Sequence, residues 1–114
     1  MAVTPEPPAP VGEPGLAAAS APSGPASAPA RPLAGVRVVD VSALAPGPFA
    51  TMILADFGAD VVAVERPEPD PFGTRDWLGR GKRYVTLDLR NPEGRAAVAR
   101  LAADADVFVE GFRP

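Results

Sequence analysis

Arg66, Arg75, Arg80, Lys82, Arg83 and Arg90 form a basic run through the middle of the chain. An arginine offers a planar fork to phosphate oxygens, and a lysine offers a point charge. The segment LGRGKR holds two glycines, so both its backbone and its charged side chains can approach a ligand. Each charge-assisted hydrogen bond contributes roughly 1.5–3 kcal/mol. A few of them hold a phosphorylated ligand at about micromolar affinity. The competing arrangement is a solvated face on which these cations pair with Asp70, Asp76 and Asp88. Trp77 has two roles open to it, covering an adenine or packing.

A second candidate is the loop Ala45-Pro46-Gly47-Pro48, which falls between a strand pattern and a helix pattern. Helix N-termini attract phosphate, and open α/β sheets bind ligands at the carboxyl ends of their strands. Glu65 stands where a dinucleotide fold places its ribose acid. The loop is not GxGxxG, however, and its two prolines remove N–H donors, which argues against a standard NAD site. The acids Asp40, Asp56, Asp60, Glu65, Asp88, Asp104, Asp106 and Glu110 show no spacing that pairs two of them for acid–base work. Asp56 and Asp60 straddle a helix end, where solvation or capping is their expected role.

Composition narrows the chemistry. The chain has 114 residues, no cysteine and no histidine. Disulfides, zinc–thiolate sites, histidine metal sites, a cysteine nucleophile and a histidine base are all excluded within these residues. The net charge of -3 argues against an electrostatic nucleic-acid binder. No apolar run approaches the roughly 18 residues that span a bilayer. MAVTPEPPAP lacks the basic and apolar regions of a secretory signal. The expectation is a cytoplasmic protein without a nucleic-acid or membrane partner and without a metal.

The elements that would position these residues begin after a Pro-, Ala- and Ser-rich stretch. Proline fixes φ and lacks an N–H, and small side chains bury too little area to offset ordering. Residues 1–31 are expected to be a disordered tail, and residues 32–114 to be ordered. Val36, Val38, Val39 and Val41 read as a buried strand. Phe49 to Phe57 reads as a helix with Pro48 in its first turn, an apolar stripe of Phe49, Met52, Ile53 and Phe57, and Gly58 as its cap. Val61 to Val64 reads as a second strand. Glu68 to Arg83 reads as a loop with a short helical turn near Trp77. Tyr84 to Leu89 alternates as a third strand. Asn91 caps a helix that starts at Pro92 and presents Val98, Leu101, Ala102 and Ala105. Val107 to Val109 reads as a fourth strand. The fold class is α/β, with a Rossmann-like parallel sheet built from two β-α-β units. The pattern stops just after a strand, so the chain reads as the front of an incomplete large domain.

These blocks together carry a resemblance. PLAGVRVVDVS, GPFATMILADFGADVVAVERP, GRGKRYVTLDLRNPEGR and ADVFVEGFRP resemble the class III CoA-transferase family. That family includes carnitine and bile-acid CoA-transferases, formyl-CoA transferase and 2-methylacyl-CoA racemase. LAPGPFATMILADFGA followed by LGRGKR is most similar to the racemase branch. Ala45, where formyl-CoA transferase has glutamine, and Gly111, where asparagine is typical, depart from the formyl- and oxalyl-CoA pattern. The resemblance implies a two-domain subunit in an interlocked homodimer. It implies an acyl-CoA thioester as substrate, with coenzyme A part of that substrate and no tightly bound cofactor. It further implies that Arg66 contacts the CoA nucleotide and that Leu87, Asp88, Leu89 and Arg90 line the CoA site. Lys82 and Arg83 join them as phosphate neighbours by charge alone. The catalytic groups of both activities lie beyond the position matching Pro114, so no residue here is named catalytic. The expected function is the CoA-binding portion of a 2-methylacyl-CoA racemase, with a CoA-transferase as alternative. A third alternative is a non-catalytic CoA-binding module or truncated remnant.

Overall fold

The computed structural model describes residues 30–114. The expected tail over residues 1–31 lies almost wholly outside the described residues. Four strands and three helices follow one another: β1 (Arg37–Asp40), α1 (Pro46–Asp56), β2 (Asp60–Glu65), α2 (Thr74–Leu78), β3 (Lys82–Thr86), α3 (Pro92–Ala103) and β4 (Val107–Val109). The strands form one parallel sheet in the order β3-β2-β1-β4. This matches the first four positions of the doubly wound order 3-2-1-4-5-6 of Rossmann-like sheets.

The β-branched strand residues account for the core. Val38 and Val61 are adjacent rungs of β1 and β2, and with Ala59 they form the buried cluster. Leu54 and Ala55 of α1 pack onto it, as do Leu33, Val36 and Val109. Side chains alternate across a strand, so Val39, Val62 and Val85 point to the other face, where they line a cavity together with Ala97 and Leu101 of α3. The sheet thus has α1 on one face and α3 on the other.

The first β-α-β unit has its two strands side by side. The second does not. β3 and β4 lie at opposite edges, because the chain through α3 crosses the whole sheet and β4 docks on β1. The helix that opens this crossover sits close to the preceding turn. A Cβ on Gly94 would stand 2.0 Å from the Asp88 carbonyl oxygen, so only glycine admits this approach.

Four local expectations are corrected. α1 begins at Pro46 rather than Phe49, since both prolines fit a first turn whose N–H groups have no partner in any case. Its buried face is Pro48, Thr51 and Met52; of the expected stripe Phe49, Met52, Ile53 and Phe57 only Met52 is buried, and Phe49 and Phe57 are each 50% exposed. The Thr51 hydroxyl binds the buried Asp40 carboxylate, and that bond turns the helix. β3 runs from Lys82 to Thr86, starting two residues and ending three residues earlier than the alternation over Tyr84 to Leu89 indicated. Its last rung is Leu87 N–H to the Glu65 carbonyl, after which Asp88 folds back onto the Arg90 N–H. Asn91 occupies the cap of α3 but its side chain makes no capping bond. As expected, a short helix carries Trp77, and Gly58 follows α1 at φ 105°.

Candidate functional site

A cavity of about 1080 Å³ opens over the carboxyl edge of the sheet. The segments that leave three strands supply its walls: Val41 to Leu44 after β1, Arg66 to Pro71 after β2, and Leu87 to Arg90 after β3. Phe112, beyond β4, completes the rim. Ligands of open α/β sheets bind at this edge, where loops of several strands converge.

Charge inside the cavity is largely paired. The Arg75 guanidinium lies 4.2 Å from the Tyr84 ring centroid and 3.3 Å from the Glu65 carboxylate. Burial pushes the Tyr84 hydroxyl above its usual pKa, and the Glu65 carboxylate adds to the effect. Arg90 donates to Asp88 at 2.8 Å and also to Glu68. The two donors of Arg90 hold the Asp88 carboxyl below the usual carboxylate range. Arg66 differs. It is exposed at the end of β2, and it is the cavity's one guanidinium without a carboxylate partner among the described residues. An unpaired guanidinium in a concave site is free to take a phosphate in its fork.

Beneath the cavity floor lies a polar cluster that no sequence motif announced. Asp40, at the end of β1, is buried. One of its carboxylate oxygens accepts from the Ser42 N–H at 2.8 Å and from the Ser42 hydroxyl. The other accepts from Thr51 and faces the Lys82 ammonium at 3.6 Å. Lys82 donates to the Pro48 carbonyl at 2.8 Å, and its side chain is 1% exposed. Burial lowers the Lys82 pKa, and Asp40 opposes that shift. The turn is tight: a Cβ on Gly47 would stand 2.1 Å from the Ser42 hydroxyl oxygen. No buried side-chain nitrogen or oxygen lacks a partner among the described residues.

The predicted site residues therefore separate. Arg66, Leu87, Asp88, Leu89 and Arg90 come together around the cavity. Lys82 reaches the cavity only from below, sealed against Asp40. Arg83 lies on the opposite face, where it pairs with Asp60 at 2.7 Å. Strand alternation separates Lys82 from Arg83, a separation hidden in the sequence because the alternating run starts only at Tyr84. Asp56, read as capping or solvated, instead binds Arg80 through two hydrogen bonds of 2.7 and 3.0 Å. Among the described residues no group of three or more His, Cys, Asp or Glu is placed to hold a metal ion, and no helix is long and apolar enough to cross a membrane.

A parallel sheet of this order, with a partly cationic cavity at its carboxyl edge, defines a Rossmann-like α/β protein. Comparison with known proteins places it more closely. Residues 33–114 match the CoA-transferase family III, and the chain belongs to that family. It is 53% identical over 81 residues to the alpha-methylacyl-CoA racemase of Homo sapiens, covering 71% of this chain and 21% of that protein. It is 44% identical over 101 residues to the succinyl-CoA–D-citramalate CoA-transferase of Chloroflexus aurantiacus, covering 75% of this chain and 25% of that protein. A solved structure of a hypothetical protein from Mycobacterium tuberculosis is similar with a TM-score of 0.68 and 38% identity, over 76% of this chain and 27% of that one. The chain spans about a quarter or less of the length of the racemase and of the transferase.

Proposed function

We propose that residues 32–114 form the N-terminal, CoA-binding part of an acyl-CoA enzyme of this family, and that the enzyme is a 2-methylacyl-CoA racemase. The observation that carries the CoA reading is Arg66: an exposed guanidinium with no carboxylate partner among the described residues, set at the carboxyl edge beside the Leu87–Arg90 turn. In this reading Arg66 takes a phosphate of the CoA nucleotide. The backbone and side chains of Leu87, Asp88, Leu89 and Arg90 wall the remainder. Coenzyme A arrives as part of the acyl-CoA substrate. The identity to the human racemase supports proton transfer at the carbon next to the thioester. The transferase relatives support a second reading, movement of CoA between carboxylic acids. In both readings the reacting groups come from the length of the relatives that this chain does not span, and the working protein is a cytoplasmic homodimer.

Calorimetric titration of the chain with CoA tests the site. The expected result is saturable binding that weakens about tenfold or more in Arg66→Ala, as the loss of a charge-assisted bond requires. Equal affinity in the variant would remove Arg66 from the site. The two activities are separated in a protein of full family length. Exchange of the hydrogen next to the thioester with heavy-water solvent marks the racemase. Transfer of CoA to an added carboxylate marks the transferase.

A further inference from the structure

Lys82 belongs to the basic run and borders the cavity, yet its ammonium is turned onto protein partners. It is sealed against Asp40 and the Pro48 carbonyl, with 1% of its side chain exposed. Asp40 ends β1, Pro48 lies in the first turn of α1, and Lys82 itself starts β3. The loop between β1 and α1, Val41 to Leu44, is the wall of the cavity opposite the Leu87–Arg90 turn. The Asp40 carboxylate holds the loop through the Ser42 N–H and hydroxyl, and holds α1 through Thr51. Lys82 therefore stands at the one point, among the described residues, where β3, β1 and the first turn of α1 are joined by charge.

We infer that Lys82 is a positioning residue: paired with Asp40, it sets the Val41–Leu44 wall of the cavity and makes no direct contact with the bound CoA phosphates. The inference rests on the CoA reading of the cavity. A buried pair of this kind is tolerant of joint replacement and intolerant of single replacement, because losing one partner leaves the other charge uncompensated. A lysine that touches phosphate behaves differently, since no change at Asp40 can restore its lost charge.

The test compares the 114-residue chain with Lys82→Met and with the double variant Asp40→Asn, Lys82→Met, using CoA as the titrant and urea unfolding as the control. The expected result is that Lys82→Met either fails to fold or binds CoA roughly tenfold more weakly at unchanged stoichiometry, a normal coupling for residues in contact. The double variant is expected to fold and to bind within about twofold of the unchanged chain. Three results overturn the inference. One is a folded double variant that binds as weakly as the single. Another is a folded Lys82→Met chain with unchanged affinity, which makes the pair structural only. The third is a double variant no more resistant to urea than the single. Should the unchanged chain not bind CoA, the reading of the cavity fails separately, and hydrogen exchange at the Ser42 amide decides. Protection that is present in the unchanged chain and the double variant, but lost in Lys82→Met or in its unfolded form, supports the positioning role. Protection lost in the folded double variant, or kept in a folded Lys82→Met chain, overturns it.

Discussion

Lys82 and Arg83 are neighbours in β3, and each meets an aspartate that the fold lays beside it. On the α1 face, Lys82 and Asp40 are sealed, with side chains 1% and 2% exposed. On the α3 face, Arg83 and Asp60 make a shorter, two-pronged contact with side chains 68% and 45% exposed. Distance alone would rank the second pair as stronger. Environment reverses the ranking. Water screens the Arg83–Asp60 pair, and such exposed pairs contribute about 0–1 kcal/mol. The buried pair gains little net energy from its attraction, but removing one member strands a charge in a dry site. The two faces thus use charge for different ends: one to fix a loop under a cavity, the other to keep a surface hydrated.

The largest test of that contrast is Asp40→Ala. It strands Lys82 and leaves the Ser42 and Thr51 donors without their acceptor. The expected cost is about 3–5 kcal/mol, read as a fall in the urea midpoint. A cost comparable with that of exposed pairs would break the comparison. Gly94→Ala probes what the α3 face uses in place of charge. Its Cβ would collide with the Asp88 backbone, and an expected loss of about 1–3 kcal/mol would show that close packing, not ion pairing, seats this helix. Asp60→Ala should cost about 1 kcal/mol or less, and less again in high salt.

The gentlest test is acid titration of the exposed pairs. Arg80 lowers the pKa of Asp56, and Arg90 that of Asp88, from 3.8. The unfolded chain therefore binds more protons than the folded one in the range just below 3.8. Stability from these groups is fully present above that value and declines as pH falls through the depressed ones. A shallow acid limb that flattens in high salt is the expected record. A limb unaffected by salt would point to buried carboxylates and blur the distinction between buried and exposed pairs.

Much of this architecture is legible in the residues themselves. Val36 to Val41, Val61 to Val64 and Val107 to Val109 announce strands by β-branching, and Pro92 announces a helix start. The loops that gather at the carboxyl edge follow from parallel order, but Arg66 and the Leu87–Arg90 turn are named together as a site only through the family resemblance. What could not be read was partnership. Lys82 looks like any other member of a basic run until the fold brings Asp40 to it from the far end of β1. The same carboxylate explains why α1 buries Thr51 and leaves Phe49 and Phe57 outside. A hydrophobic stripe is a local pattern, whereas the hydroxyl that overrides it answers to a residue eleven positions away.

The strand order carries a consequence for synthesis. β1 emerges first yet ends between two neighbours, β2 and β4. β2 can pair with it as soon as α1 has formed. β4 comes last, and only then does the Val41 N–H meet the Val109 carbonyl at 2.9 Å. During translation the sheet therefore closes on its oldest strand from both sides at different times. A nascent chain that has passed β3 but not yet released Val107 exposes the flank of β1 as an open edge, which is the kind of surface that attracts stray strands and the chaperones that shield them.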